Sequence, residues 1–504
     1  MSGNPDIFIV HGSDTVAVAL RSLAAGERVT AGAGAAITVR NDVAQGHKIA
    51  LVAHDLGAPV VKYGLPIGRA TAPISVGDHV HSHNLATALA GELTYAEGAG
   101  QVVAQAGRGD VARRWQGYRS ADGRFGTRNE VWILPTVGCV GVTAEQIARE
   151  ARTRHAELID ARRIDGVHAF SHPHGCSQLG DDLAGTRAAL AGLAANPNAA
   201  GILLLGLGCE SNQLDALRET IPPAAQGKIR MLSSQAAGDE MAEAARLVDE
   251  LVALAATAHR EAAGLEALTV GLKCGGSDGL SGLTANPLLG RFSERISAAG
   301  GTVVLTEIPE IFGAEDALIA RADSAETFAA AAALVNRFKR YYLDQGLPVS
   351  ENPSPGNLAG GITTLEEKSL GAVQKAGRAP LTAVVDYGAQ AGGAGVTLLE
   401  APGNDAVSST ALAASGATLV LFTTGRGTPL GFPVPTLKVA SNHALAANKP
   451  HWIDFDAARV LEHAVDEVDD AFLDHVLAIA SGEPCRAEKA GQRAIAIWKR
   501  GVTL

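Results

Sequence analysis

In the stretch GDHVHSHNL, His79, His81 and His83 fall at every second position. On a strand, period two puts three imidazoles on one face. There they can ligate a metal or relay protons near neutral pH. Asn84 closes the run, so His81, His83 and Asn84 are expected to be catalytic. A second group, FSHPHGCSQLGDD, alternates His172, His174 and Cys176 ahead of a glycine turn into Asp181 and Asp182. Imidazole with thiolate is a borderline-soft ligand set that suits Fe(II) or Zn(II). Cys209, followed by Glu210, and Cys274, preceding GGSDG, can join it if the strand ends that carry them converge. The expected metal ligands are therefore His172, Cys176, Cys209 and Cys274, with His172 also a candidate catalytic group. Three cysteines on three loops would also suit an iron–sulfur cluster with one open iron. No pair has the close spacing of HExxH or paired CxxC, so the ligand order stays open.

Glycine-rich loops form the third feature. CGGSDGLSGLTANPLLG, NPSPGNLAGGITTLEEKSLG and FTTGRGTPLGFPVPT contain neither a GxxxxGK[ST] phosphate loop nor a GxGxxG opening a helix. No GxSxG elbow is present either, which removes support for a hydrolase of that type. These loops carry Ser, Thr, Asn, Asp, Lys and Arg on backbone-exposing turns. That composition suits a small polyhydroxylated acid, which needs many hydrogen bonds and a cation for its carboxylate. Arg128, Lys368, Arg426 and Lys438 are the candidate cations, with Asn129, Ser277, Asp278 and Asn404 as further substrate contacts.

The elements that must hold these residues differ along the chain. Residues 1–95 read as all-β, with short runs such as IFIVHG, ITVRND and APVVKYG between turn residues, and one helix expected from Asp14 through VAVALRSL. A linker is expected over 96–114. Beyond it, strand–loop–helix texture implies two parallel-sheet α/β lobes, 115–265 and 266–504. Ligands of such sheets sit beyond the carboxyl ends of the strands, where PTVGC139, GLGC209, GLKC274 and TEIPE310 all fall. The 504 residues carry a formal charge of −11 with 47% hydrophobic and 19% charged residues, a well-buried acidic globular composition. An acidic chain without a basic face repels phosphates, so nucleic acid is an unexpected partner. Five cysteines, an odd number in a long chain, do not make a disulfide framework. With no basic n-region at the start and no apolar run near 20 residues, the chain is expected to be cytoplasmic and without a membrane partner.

Longer motifs then carry a resemblance. HGSDTVAVAL, GHKIAL, VVKYGLPIGRA and GDHVHSHN resemble the SAF, or β-clip, domain at the front of the altronate dehydratase family. GYRSADGRFGTRNEVWILPTVGCV, SHPHGCSQLGDD, GLGCESNQ, GLKCGGSDGLSGLTANPLLGRFS, TEIPEIFGAE, ENPSPGNLAGGITTLEEKSLG, EAPGNDAV, LFTTGRGTP, HWIDFDA and the terminal GVTL resemble its catalytic region, in order. Pro173-His174 departs from the Thr and Tyr of the altronate branch. The resemblance implies a hydro-lyase converting D-altronate to 2-keto-3-deoxy-D-gluconate, with Fe2+ (or Mn2+) as cofactor; the 4Fe-4S cluster that the cysteines themselves suggest is the alternative. Galactarate dehydration and sulfite elimination from sulfolactate are the other activities of the superfamily, and a sugar-acid-binding sensor is the non-enzymatic alternative. The partner is a small sugar acid, and a homo-oligomer is expected.

Overall fold

The computed structural model describes residues 5–30, 36–89, 91–95 and 110–504. The N-terminal part is antiparallel β, as expected. A four-stranded sheet has the order Ile7–Phe8, Val16–Ala19, Lys48–Ala50, His79–Val80, and a three-stranded sheet joins Pro59–Lys62, Leu65–Ala70 and Leu85–Ala86. The segment expected as a helix from Asp14 is instead the strand Val16–Ala19. All four of its residues are buried, and it pairs with Ile7–Phe8 on one side and Lys48–Ala50 on the other. Two valines in four residues favour a strand once partners flank both edges. Asp14 does not cap a helix; its carboxylate accepts from the backbone N–H groups of His11 and Gly64.

Of the expected linker 96–114, residues 96–109 lie outside the described residues. The remainder holds a short 3-10 turn at Asp110–Ala112 and the start of the strand Arg114–Arg119. That strand pairs antiparallel with Phe125–Gly126 and Arg260–Gly264.

Two parallel sheets follow. The smaller has the order Gly166–Ala169, Glu130–Pro135, Ala199–Gly206, Ile229–Ser233, all parallel. The larger is seven-stranded, in the order Leu381–Val385, Gly395–Leu399, Thr302–Leu305, Thr269–Cys274, Leu419–Thr424, Thr436–Ala440, Phe455–Asp456, again all parallel. Runs such as EVWILP and LVLFTT are buried at every residue, the pattern of strands covered on both faces. Helices Gly180–Ala194 and Asp405–Ala414 pack together between the two sheets. Among the described residues, no helix is long and apolar enough to cross a membrane.

Candidate active site

The densest buried chemistry lies at the carboxyl ends of the central strands of the seven-stranded sheet. Cys274 is the last residue of its strand, and Glu307 and Glu310 follow the neighbouring strand Thr302–Leu305. The Cys274 thiol donates to Glu310 Oε2 at 2.9 Å, and its backbone N–H donates to Glu307 Oε2 at 3.0 Å. Three ammonium groups neutralise the carboxylates. Lys375 Nζ donates to Cys274 Sγ at 2.8 Å and lies 3.5 Å from Glu307. Lys273 bonds Glu307 and lies 2.8 Å from Asp405, and Lys368 lies 2.8 Å from Glu310.

Burial, with Glu307 and Glu310 beside it, pushes the Cys274 thiol up to about 12. Burial would also raise Glu310, but Lys368, Lys375 and Lys273 hold it down to about 2. The pair is thus a protonated thiol donating to an ionised carboxylate. Glu307 has φ 66° and ψ 57°, left-handed for a residue with a side chain. Such a conformation costs on the order of 1–3 kcal/mol and persists only where the surroundings enforce it.

The ligand atoms of Cys274, Glu307 and Glu310 all lie within 4.8 Å of one another. One thiolate with two carboxylates is a donor set compatible with Fe(II) or Mn(II), so these residues fit the divalent ion that the resemblance implies.

Around this centre the glycine loops are locked by polar side chains. Asp278 accepts from Ser281 N and Oγ, from Ser441 Oγ and from Asn442 Nδ2, at 2.8 to 3.0 Å. It ties three loops together, with Oδ1 taken by three donors and Oδ2 by Asn442. Asn357 donates to the Ser277 carbonyl at 2.8 Å. Asn404 caps the helix Asp405–Ala414 by accepting from the N–H groups of Ala406 and Val407, which sets Asp405 against Lys273. Arg426 is exposed, with one bond to the Gly356 carbonyl at 3.3 Å.

The N-terminal domain docks on the same loops. Gly279 is a position where only glycine fits, because a Cβ there would stand 1.9 Å from the Gly46 carbonyl oxygen. Beside this backbone contact, Lys48 Nζ reaches Gly361 O, Thr363 Oγ1 and Glu367 Oε2 at 2.7 to 2.8 Å, and Lys62 reaches the other oxygen of Glu367 at 2.8 Å. Burial alone would raise the Glu367 carboxyl, but Lys48 and Lys62 hold it down to about 2. Four imidazoles gather at this junction. His47 Nδ1 and His79 Nε2 are 3.0 Å apart, His47 and His81 bond the Ala359 and Leu358 carbonyls, and the His83 ring lies 5.5 Å from His79. Burial, reinforced by His47, His81 and His83, pulls His79 down to about 3, and burial also lowers His47 and His81. These rings are neutral at neutral pH and can accept a proton.

The histidines reach one cluster by a route other than the expected three-residue strand face. The strand ends at Val80, and His81 and His83 lie in the turn that follows. Asn84 shapes that turn and is not free for catalysis: it is buried, accepts from His81 N and donates to His79 O.

Other expectations are corrected. His172 is buried with both ring nitrogens engaged, Nε2 with Pro135 O at 2.8 Å and Nδ1 with His174 N at 3.2 Å, so neither is left for a metal or substrate. Arg128 holds Glu488 through two bonds of 2.8 Å and donates to the Thr127, Ile479 and Glu483 carbonyls, so the candidate substrate cation is a buried structural one. Asn129 is likewise buried, donating to Arg163 O and Ala255 O. Lys438 lies inside its strand and donates to Leu430 O. Cys176 and Cys209 do not join Cys274; they are exposed on loops of the smaller sheet.

The missed residues are Glu307, Glu310, Lys273, Lys375 and His47. The signal for the first two was TEIPE itself, two acids beyond a strand end. His47, in GHKIA, stood outside any histidine run.

Comparison with known proteins runs along the whole chain. Residues 5–88 match the family described as "Altronate/galactarate dehydratase SAF domain", 117–256 "D-galactarate dehydratase/Altronate hydrolase, second domain", and 265–503 "D-galactarate/Altronate dehydratase, C-terminal". The chain is 47% identical to the altronate dehydratase of Escherichia coli (strain K12) over 98% of its own length and 99% of that protein's. It is 46% identical to that of Bacillus subtilis (strain 168), with the same coverage. Against the L-threo-forming galactarate dehydratase of Escherichia coli (strain K12) the figure is 30%, over 94% of this chain and 92% of that protein. With all three regions matched in order and near-complete coverage of both altronate dehydratases, the chain belongs to the altronate/galactarate dehydratase family.

Proposed function

We propose that this chain dehydrates D-altronate to 2-keto-3-deoxy-D-gluconate at the junction of the N-terminal domain and the seven-stranded sheet. The observation that carries the reading is that one helix, Leu365–Ala372, joins the two clusters: Glu367 meets Lys48 and Lys62 of the histidine-bearing N-terminal domain, and Lys368 meets Glu310 of the buried thiol–carboxylate–lysine centre. Higher identity to the altronate than to the galactarate dehydratases favours altronate as substrate.

Cys274, Glu307 and Glu310 would hold a divalent ion such as Fe(II) or Mn(II), which when bound would supply Lewis acidity for the negative charge that builds on the substrate. The remaining work belongs to side chains. An imidazole of the His79–His83 pair takes the proton from C2 as general base. The electron pair released at C2 passes toward the carboxylate, giving an enediolate whose charge the Lys368, Lys375 and Lys273 ammonium groups face in a water-poor site. Collapse of that pair breaks the C3–O bond, and the leaving hydroxyl takes a proton to depart as water. The enol that remains becomes the 2-keto acid by tautomerisation. Arg426, exposed on its glycine-bearing loop, is the cation proposed for the substrate carboxylate.

The test is 2-keto-acid formation by the Fe(II)-loaded protein from D-altronate, galactarate and sulfolactate in parallel, with His79→Asn and His83→Asn variants. Turnover confined to D-altronate and lost in both variants supports the reading. Turnover of galactarate instead would move the chain to the other branch, and binding of a sugar acid without turnover would make it a sensor.

A further inference from the structure

Cys139, Cys176 and Cys209 are all exposed and take no part in the site above. They follow three adjacent parallel strands, Glu130–Pro135 in the centre with Gly166–Ala169 and Ala199–Gly206 on either side. All three therefore leave the sheet at its carboxyl edge, where neighbouring strands lie about 5 Å apart. We infer that these three cysteines form a second metal centre, one that binds a 4Fe-4S cluster through three thiolates and leaves its fourth iron open.

The loops that carry the cysteines are laced to one another within a few residues of each sulfur. Gly138 N donates to His174 O at 2.9 Å, Asn212 N donates to Gly175 O at 3.0 Å, and Asn212 Nδ2 donates to Thr136 O at 3.2 Å. Gly175, with φ +100°, sits so close to the first loop that a Cβ would stand 2.0 Å from Thr136 O. No larger residue could bring Cys176 to that position. The double bond of His172, to Pro135 O and from His174 N, braces the same turn. These contacts make a rigid frame around three thiols that themselves remain open to solvent.

The surroundings favour cluster chemistry. Cys139 lies two residues before the helix Gly141–Arg154 and Cys176 four before Gly180–Ala194, so both stand near the positive ends of helix dipoles. Gln235 Nε2 donates to Cys209 Sγ at 3.6 Å and Ser177 Oγ to Cys176 Sγ at 4.0 Å, the kind of donation to sulfur that tunes clusters. An all-thiolate set selects zinc or iron–sulfur chemistry over hard ions. A structural zinc takes four protein ligands, and the adjacent imidazoles are bonded elsewhere, His172 to Pro135 and His174 to the Ile497 backbone. Among the described residues, the group whose ligand atoms all lie within 4.8 Å is Cys274, Glu307 and Glu310, and none of these three cysteines belongs to it. A cubane spreads its thiolates around four irons, so its ligand atoms need not meet at a single ion.

The inference stands apart from the dehydration proposal and is tested without an activity assay. The full chain is reconstituted anaerobically with iron and sulfide, desalted, and analysed for iron, acid-labile sulfide and visible absorption. The expected result is about four irons and four sulfides per chain, beyond any iron held at Cys274, Glu307 and Glu310, with a brown chromophore that air bleaches. Cys139→Ser, Cys176→Ser and Cys209→Ser should each remove it with Tm unchanged in the metal-free state, whereas Cys274→Ser and Cys485→Ser should retain it. Iron without sulfide, zinc in preference to a cluster, loss of the chromophore in Cys274→Ser, or its survival in all three exposed-cysteine variants would each overturn the inference.

Discussion

Arg426 and Arg128 both sit on glycine-bearing loops, yet the structure gives them opposite tasks. Arg426 is exposed and holds one long bond to a carbonyl. Arg426→Met should lower kcat/KM about tenfold or more, since a charge-assisted hydrogen bond is worth roughly 1.5–3 kcal/mol, and should leave Tm unchanged. Arg128→Met should instead unfold the protein at lower denaturant, by about 3 kcal/mol or more, because it strands the buried Glu488 beside Arg493 alone. Denaturant titrations alongside steady-state kinetics separate the two. The histidines make a pH prediction. Burial and three neighbouring imidazoles lower His79 to about 3, so its base form persists below the usual histidine range. The acid limb of kcat/KM should therefore fall well under pH 6.5. His47→Gln, which removes one neighbouring ring, should raise the His79 pKa and move that limb upward. A limb left at 6.5 in both proteins would exclude His79 as the base.

At the scale of elements, the docking of the N-terminal domain is backbone on backbone, and a single methyl group should break it. Gly279→Ala should abolish most turnover while the far-UV circular dichroism stays unchanged, since the Cβ meets Gly46 O and not the sheet beneath. Elements were also the scale most readable from the sequence. EVWILP, TVGLKC and LVLFTT announce buried parallel strands through unbroken apolar runs, and their carboxyl ends mark where chemistry belongs. VAVALRSL misled because its apolar residues satisfy both a helical and a strand period, and only the flanking strands decide between them. The site itself was half legible. Cys274 at a strand end, Lys368 in the short helix Leu365–Ala372 and Arg426 on a loop all belong to glycine-bearing segments whose composition shows them, and the histidines cluster, though not on one strand face. What the residue types could not tell is which polar groups are already spent. Arg128, Asn129, Asn84 and His172 look available in one dimension, and each is consumed by partners that the fold delivers, some of them 360 residues away. Lys375 was invisible for a like reason: its link to Cys274 spans 101 positions, and the 33 between Cys274 and Glu307 hid their pairing although TEIPE marked the acids.

For the whole molecule, the buried Lys48–Glu367–Lys62 triad fastens the first domain to the last. Removing one member leaves charge in a place without water, at a cost of about 3–5 kcal/mol. Glu367→Gln should therefore detach the N-terminal domain: limited proteolysis should release it, and turnover should vanish although the parallel sheets keep their own transition. An unchanged digestion pattern would mean that the glycine contacts alone suffice. Acid should mimic the substitution. The Glu367 carboxyl is held at about 2, below its unfolded value, so the triad's contribution is complete above the ordinary carboxylate range and is lost as pH falls through about 4 toward 2.

The same triad sets an order of events during synthesis. Lys48 is made 319 residues before the carboxylate that it meets. At roughly 5–20 residues per second, a nascent N-terminal domain spends roughly 15 to 60 seconds outside the ribosome before Glu367 is even polymerised. Throughout that interval both ammonium groups are hydrated, and their docking face is open to whatever anionic surface lies nearby, including ribosomal RNA. Water must then be stripped from two lysines in a late step, after the first domain has already folded. A chain stalled before residue 367 would display a finished β domain with a cationic face and no partner, a recognisable mark of incomplete manufacture.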